Sequence, residues 1–291
     1  MIEVQRLSKR TAFIFEKRYK QSNMKKALKQ SIILIILAQC FYQPLLAQLN
    51  TDRPSQSDNS YTLKPGSFQH ENGFQINAVE NTPKKVNYTG TLPYSLFRIG
   101  VIKGFELRMA TAILRDPENS TSPFGLADAE LGTKIQLLKN VAWISHLGLP
   151  TGNSKFSNGK LFSAHKVSAT TGSERSAFIF NSGVRFSTNR VTNQREQIWL
   201  TTIVGSHNIN KSTFVFGEVF ISQNAQGTGA NRVTTWQPGF DVGFASKFSD
   251  NNQIDFSYGY IKDAPFVNLG FSWGAFTKKI PSRRCLITPD F

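Results

Sequence analysis

The feature that most constrains this chain is alternation. From Phe105 to Ile113 the large or apolar residues hold odd positions, while Glu106, Arg108 and small alanines hold even ones. Successive side chains of a strand point to opposite faces of its sheet, so a period of two marks a strand whose faces meet unlike surroundings. The same pattern runs through Ala127–Leu137, Phe240–Phe248, Gln253–Tyr260 and Val267–Ala275. Weaker alternation lies near 67–78, 91–101, 141–149, 161–170, 176–186, 197–207 and 213–221. Together these predict about twelve strands of about ten residues, an even number and the length needed to cross a bilayer at a tilt.

The connectors alternate as well. Short turns are predicted at 102–104, 138–140, 171–175, 208–211 and 249–252, and longer polar loops at 79–90, 114–124, 150–160, 187–196 and 222–234. Tight turns at one end and longer loops at the other describe an up-and-down barrel with periplasmic turns and external loops. A soluble β-sandwich also alternates. Here, however, the apolar face is aromatic at strand ends, as membrane interfaces require, and the other face is rich in Gly, Ala and charge, which suits a crowded lumen. The fold class expected is all-β: a membrane-spanning antiparallel up-and-down barrel.

The N-terminal residues predict export. A basic stretch from Met24 to Lys29 precedes the apolar run Ile32–Leu37, and the segment closes on small Ala47 before Gln48. This is the plan of a cleaved secretory signal, and its run is too short for a membrane helix. The domain reading is therefore 1–47 as N-terminal extension and signal peptide, 48–276 as barrel and 277–291 as a basic, disordered tail. The formal charge of +15 concentrates at the ends: residues 1–47 hold nine Lys/Arg against two Glu, and Lys278, Lys279, Arg283 and Arg284 follow the last strand. No interleaving of basic and aromatic residues marks the span between as a nucleic-acid surface. Cys40 lies in the signal and Cys285 in the tail, so disulfides are not expected to staple the barrel.

Short motifs, in order, carry a resemblance. They are Thr51-Asp52-Arg53-Pro54 with Gln56, Gly66 to Gly73, Phe97-Arg98-Ile99-Gly100 followed by Phe105-Glu106-Leu107-Arg108, Leu126-Ala127-Asp128, Leu149-Pro150-Thr151-Gly152, Asp241-Val242-Gly243, and Asn268 to Trp273. From about 50 to 275 the chain resembles the MetA-type phenol-degradation-pathway outer-membrane proteins. His70 departs from it, standing where the first strand of that family is apolar. The resemblance implies an outer-membrane barrel classed as a transporter, with no defined solute.

Strand parity places Arg98, Glu106, Arg108, Asp128, Glu130, Lys134, Arg185, Asp241, Lys247 and Asp255 on the inner face. Five cations and five anions are expected to pair across the lumen, with Arg98 and Arg108 balancing Glu106 and Asp128, because isolated charges in a confined space are costly. Two roles are open to them: fixing strand register, or forming a constriction that selects solutes. No metal-like spacing joins His70, His146, His165 and His207. Ser145 and His146 are adjacent and point to opposite faces, so neither a catalytic site nor a cofactor is expected. The reading is a barrel in the outer membrane that passes or binds small molecules, hydrophobic or aromatic ones among them. Its partners would be outer-membrane lipid, an unidentified small solute and the barrel-assembly machinery, with no nucleic acid. A structural barrel with a plugged lumen is the alternative, and an outer-membrane hydrolase a further one.

Overall fold

In the computed structural model the described residues are 49–82, 85–116, 123–173, 175–189, 192–227, 232–262 and 264–275. The expectations for the signal, for cleavage before Gln48, for Phe276 and for the tail lie outside them. Thirteen strand segments follow in order: β1 (Phe68–Thr82), β2 (Lys85–Ile102), β3 (Phe105–Arg115), β4 (Phe124–Leu126), β5 (Ala129–Leu138), β6 (Val141–Leu149), β7 (Phe162–Gly172), β8 (Ser176–Thr188), β9 (Arg195–Asn208), β10 (Thr213–Gln226), β11 (Val233–Ser249), β12 (Asn252–Ile261) and β13 (Ala264–Ala275).

Each strand pairs antiparallel with its neighbours, and β1 pairs with β13, which closes the sheet. Both β4 and β5 pair with β3, so they form one wall strand interrupted at Ala127 and Asp128. The described residues thus form a closed barrel of twelve wall strands, the arrangement by which strands pair their edges within a bilayer.

Burial is inverted relative to a soluble protein. Arg98 and Lys134 are 0% exposed, whereas Leu131 is 49% and Val219 58% exposed. In water, an apolar surface of this extent would drive association. In a bilayer it is the face that lipid covers. Trp143 stands near the short-turn end of this outer face and Trp199 near the other, the places of interfacial aromatic belts. His70 joins the belt: its ring stacks on Phe97 at 4.1 Å, and Trp273 Nε1 donates to its Nδ1 at 3.2 Å.

Three predicted loops are shorter than expected. Pairing continues to Thr82↔Lys85 in the β1–β2 hairpin, Thr188↔Arg195 between β8 and β9, and Gln226↔Val233 between β10 and β11. Val233 to Pro238 are exposed on both faces. A ladder that projects past the membrane keeps its backbone bonds but has no unlike faces, so alternation stops before the strand does. The segment 150–161 remains a loop, as expected.

A plugged lumen as candidate functional site

Residues 49–67 contain no strand or helix, yet they run inside the barrel. Irregular backbone survives at membrane depth only where protein satisfies its polar groups. The inner-face side chains do this. Glu71 accepts from the amides of Asp52 and Arg53, at 3.0 and 3.1 Å to Oε2. Glu218 accepts from the Gln56 amide at 2.7 Å, Asn181 from Asp58 at 2.8 Å, Thr170 from Ser60 at 3.0 Å and Glu106 from Leu63 at 2.9 Å. Plug carbonyls accept from Arg98 (Asn50), Lys134 (Asn59), Ser168 (Asp58) and Lys247 (Leu49). The polar wall takes the place of the sheet partners this segment lacks.

Charge is matched in the same way. Asp52 Oδ2 lies 2.7 Å from Arg108 and 3.3 Å from Arg98, and its Oδ1 lies 2.8 Å from Lys134. Asp58 pairs with Arg108 at 2.9 Å and with Lys166. Arg98 is also bound by Glu71 and Glu106, each at 2.9 Å. The network balances: Arg98, Arg108, Lys134 and Lys166 against Asp52, Asp58, Glu71 and Glu106. Two of its four carboxylates come from the plug. Across the lumen the wall is acidic, with Glu218, Asp241 and Asp255 on β10, β11 and β12. There the plug presents Arg53, whose Nη2 donates to Asp255 at 2.9 Å and to Asn268 at 2.8 Å. Its guanidinium lies over Gly73, where a β-carbon would collide with it.

Burial raises the Asp58 carboxyl, but Lys166, Arg108 and Lys134 outweigh it and hold the group well below the usual carboxylate range.

Of the ten residues assigned inward by parity, Arg98, Glu106, Arg108, Asp128, Lys134, Asp241 and Asp255 are buried and Glu130, Arg185 and Lys247 half-buried. The expected pairing of Asp128 with the arginines is corrected: its oxygens accept from the Gly152 and Asn158 amides at 3.0 and 2.7 Å. It lies where the wall strand is interrupted, level with the loop that folds in over it. Arg98 and Glu106 do pair, and Arg108 reaches Glu106 at 3.1 Å, but the balance is completed by the plug. Glu130 lies 3.9 Å from His146. Arg185 stacks on Phe162, its Cζ 3.8 Å from the ring centroid. Lys247 and Asp255 hold the plug, and Asp241 is the register partner of Glu218. Ser145 bonds His165 at 3.0 Å, on the face opposite His146.

Sequence reasoning missed Glu71 and Glu218, although the same parity rule reaches both. It also missed Asp52, Arg53 and Asp58, since an irregular segment carries no period. The plug leaves space on either side. Toward the loop end is a cavity of about 330 Å³ bounded by Tyr94, Glu130, Phe156 and Arg185. Toward the short-turn end is one of about 240 Å³ bounded by Thr51, Ile179, Val204 and Phe216.

The family described as "Putative MetA-pathway of phenol degradation" matches residues 51–270, from the plug to the last strand. No curated protein matches the chain in sequence. Among solved structures, an outer membrane channel from Pseudomonas putida F1 superposes with a TM-score of 0.58 at 13% identity, covering 76% of this chain and 100% of that one. The KdgM porin gives 0.47 at 10% identity, covering 71% and 99%. The translocator domain of the autotransporter NalP from Neisseria meningitidis gives 0.42 at 6% identity, covering 73% and 88%.

Proposed function

We propose, for a chain that belongs to the family described as "Putative MetA-pathway of phenol degradation" and lies in the outer membrane as a twelve-strand barrel, that it is a passive conduit for small molecules, closed at mid-height by residues 49–67. Barrels of about eight strands are filled by their own side chains, and those of about sixteen leave a channel. Twelve strands leave room for one extra segment, and the plug takes it.

The observation that carries this reading is the mode of attachment. The plug is held by side-chain hydrogen bonds and ion pairs, with a cavity above it and another below. Such contacts exchange with water and solute without unfolding the sheet. The inner-face charges then have two roles, docking the plug and lining the path when it moves. Aromatic and aliphatic side chains in both cavities support a solute with apolar surface: Tyr94 and Phe156 above, Ile179 and Phe216 below.

A structural barrel with a permanent plug is the competing reading, favoured by the number of plug–wall bonds. Planar-bilayer recording separates the two. Removing the plug's carboxylates with Asp52→Asn and Asp58→Asn leaves four cations against Glu71 and Glu106 in that network. The variant is expected to open more often than wild type and to prefer anions, read as a reversal potential in a salt gradient. Silence of both proteins would favour the permanent plug.

A further inference from the structure

The cavity at the loop end has the makings of a binding site whose ligand chemistry can be read from its walls. Its floor is rigid. Phe162 is 4% exposed and packs on Gly148, while Phe156 packs on Gly125, and a β-carbon at either glycine would collide with the ring. Arg185 Cζ lies over the Phe162 ring, which holds the guanidinium by cation–π contact. The covering loop is tied down by Asp128, which binds the amides of Gly152 and Asn158, and by Asn153, whose backbone carbonyl accepts from Phe156 and Ser157 at 2.8 Å each.

Although Asp128 and Glu130 line the cavity, two donors in its wall have no acceptor. Arg185 Nε is buried without a hydrogen-bond partner, and the carboxylates nearest it, Glu130, Asp128 and Glu196, act on it through space. Asn158 Nδ2 is likewise buried and unpartnered, and both residues line the cavity. Buried donors without acceptors are costly, and a guanidinium left open in a pocket matches a carboxylate through its two-pronged geometry. The remaining walls are Tyr94 and the two phenylalanines, and the volume of about 330 Å³ is at the small end for ligand pockets, room for one ring and a short arm. Asp128 and Glu130 also border the space, so a second negative charge on the ligand would be repelled.

We propose that the external cavity binds a small aromatic monocarboxylate, its carboxylate on Arg185 and Asn158 and its ring against Tyr94 and Phe156. This deepens the conduit reading by naming the class of solute, and rests on it only for the ligand being cargo.

The test is direct binding to the full chain in detergent micelles, followed by calorimetry with phenylacetate and with its neutral isostere phenylacetamide. Phenylacetate is expected to bind saturably, at least about tenfold more tightly than the amide, since a hydrogen bond to a charged group contributes that much or more. Arg185→Gln should weaken phenylacetate at least about tenfold and leave the amide unchanged. Should Arg185→Gln fail to fold, judged by loss of its heat-dependent gel shift, Asn158→Asp decides: it lies in the loop and replaces a donor with a negative charge, so it too should abolish the preference for phenylacetate. Equal affinity for acid and amide, absence of saturable binding, or an unchanged preference in both variants would overturn the proposal. Binding without flux into liposomes would sink the conduit reading and leave the site standing. Flux without binding would sink the site alone.

Discussion

Asp52 touches three cations of the wall and, among the described residues, is the one carboxylate paired with Lys134, so its charge is where a single substitution should matter most. Removing one partner of a buried ionic network leaves charge uncompensated and costs about 3–5 kcal/mol. Asp52→Asn is expected to loosen the plug by an energy approaching that range, seen as a higher open probability in bilayers with an unchanged heat-dependent gel shift. Asp58 sets a pH window. Its folded pKa is depressed, so the docking it contributes is fully present above the ordinary carboxylate range and is lost only as pH falls through its lower value. Open probability attributable to this residue should be flat from about pH 8 to pH 5. A wild-type rise within that window that Asp58→Asn removes would contradict it.

At the scale of elements, the alternation in Phe105–Arg115 and Ala264–Ala275 told both strand and facing, because lipid and lumen differ sharply on the two sides. The projecting hairpins were illegible for the opposite reason: Val233–Pro238 meet similar surroundings on both faces. The plug was illegible because its conformation is set by wall side chains from eleven strands rather than by any local period, although the run of charges at Asp52, Arg53 and Asp58 was in view. The inner charges were legible by parity, but their partners were not, since pairing depends on what fills the lumen. β1 offers a test of that filling. Gly73→Val places side-chain atoms where the Arg53 guanidinium lies and should displace it from Asp255 and Asn268. A loss of about 1–3 kcal/mol in plug docking is expected, read as faster proteolysis within residues 49–67 while the barrel stays resistant. Equal proteolysis of variant and wild type would mean Arg53 does not anchor the plug.

For the whole molecule, closure of the sheet without an edge and an apolar exterior predict a barrel that resists detergent until heated. Unheated protein should migrate faster on a denaturing gel than boiled protein. The expected division into signal, barrel and tail is tested at this scale. Truncation after Phe276 should leave insertion into the outer membrane by the assembly machinery at least as efficient as for the full chain, because the β1–β13 ladder that closes the barrel is complete by Ala275. Loss of insertion on truncation would assign the tail a role in assembly.

The central claim is that residues 49–67 gate the lumen, and a reversible tether tests it most directly. The hydroxyls of Ser57 on the plug and Thr202 on β9 are in contact. Ser57→Cys with Thr202→Cys, in a background carrying Cys40→Ser and Cys285→Ser, would join plug to wall. Single-channel recording should show openings suppressed after oxidation and restored by reductant on the same membrane. Identical conductance and open probability before and after reduction, with the disulfide verified by mass spectrometry, would contradict the account.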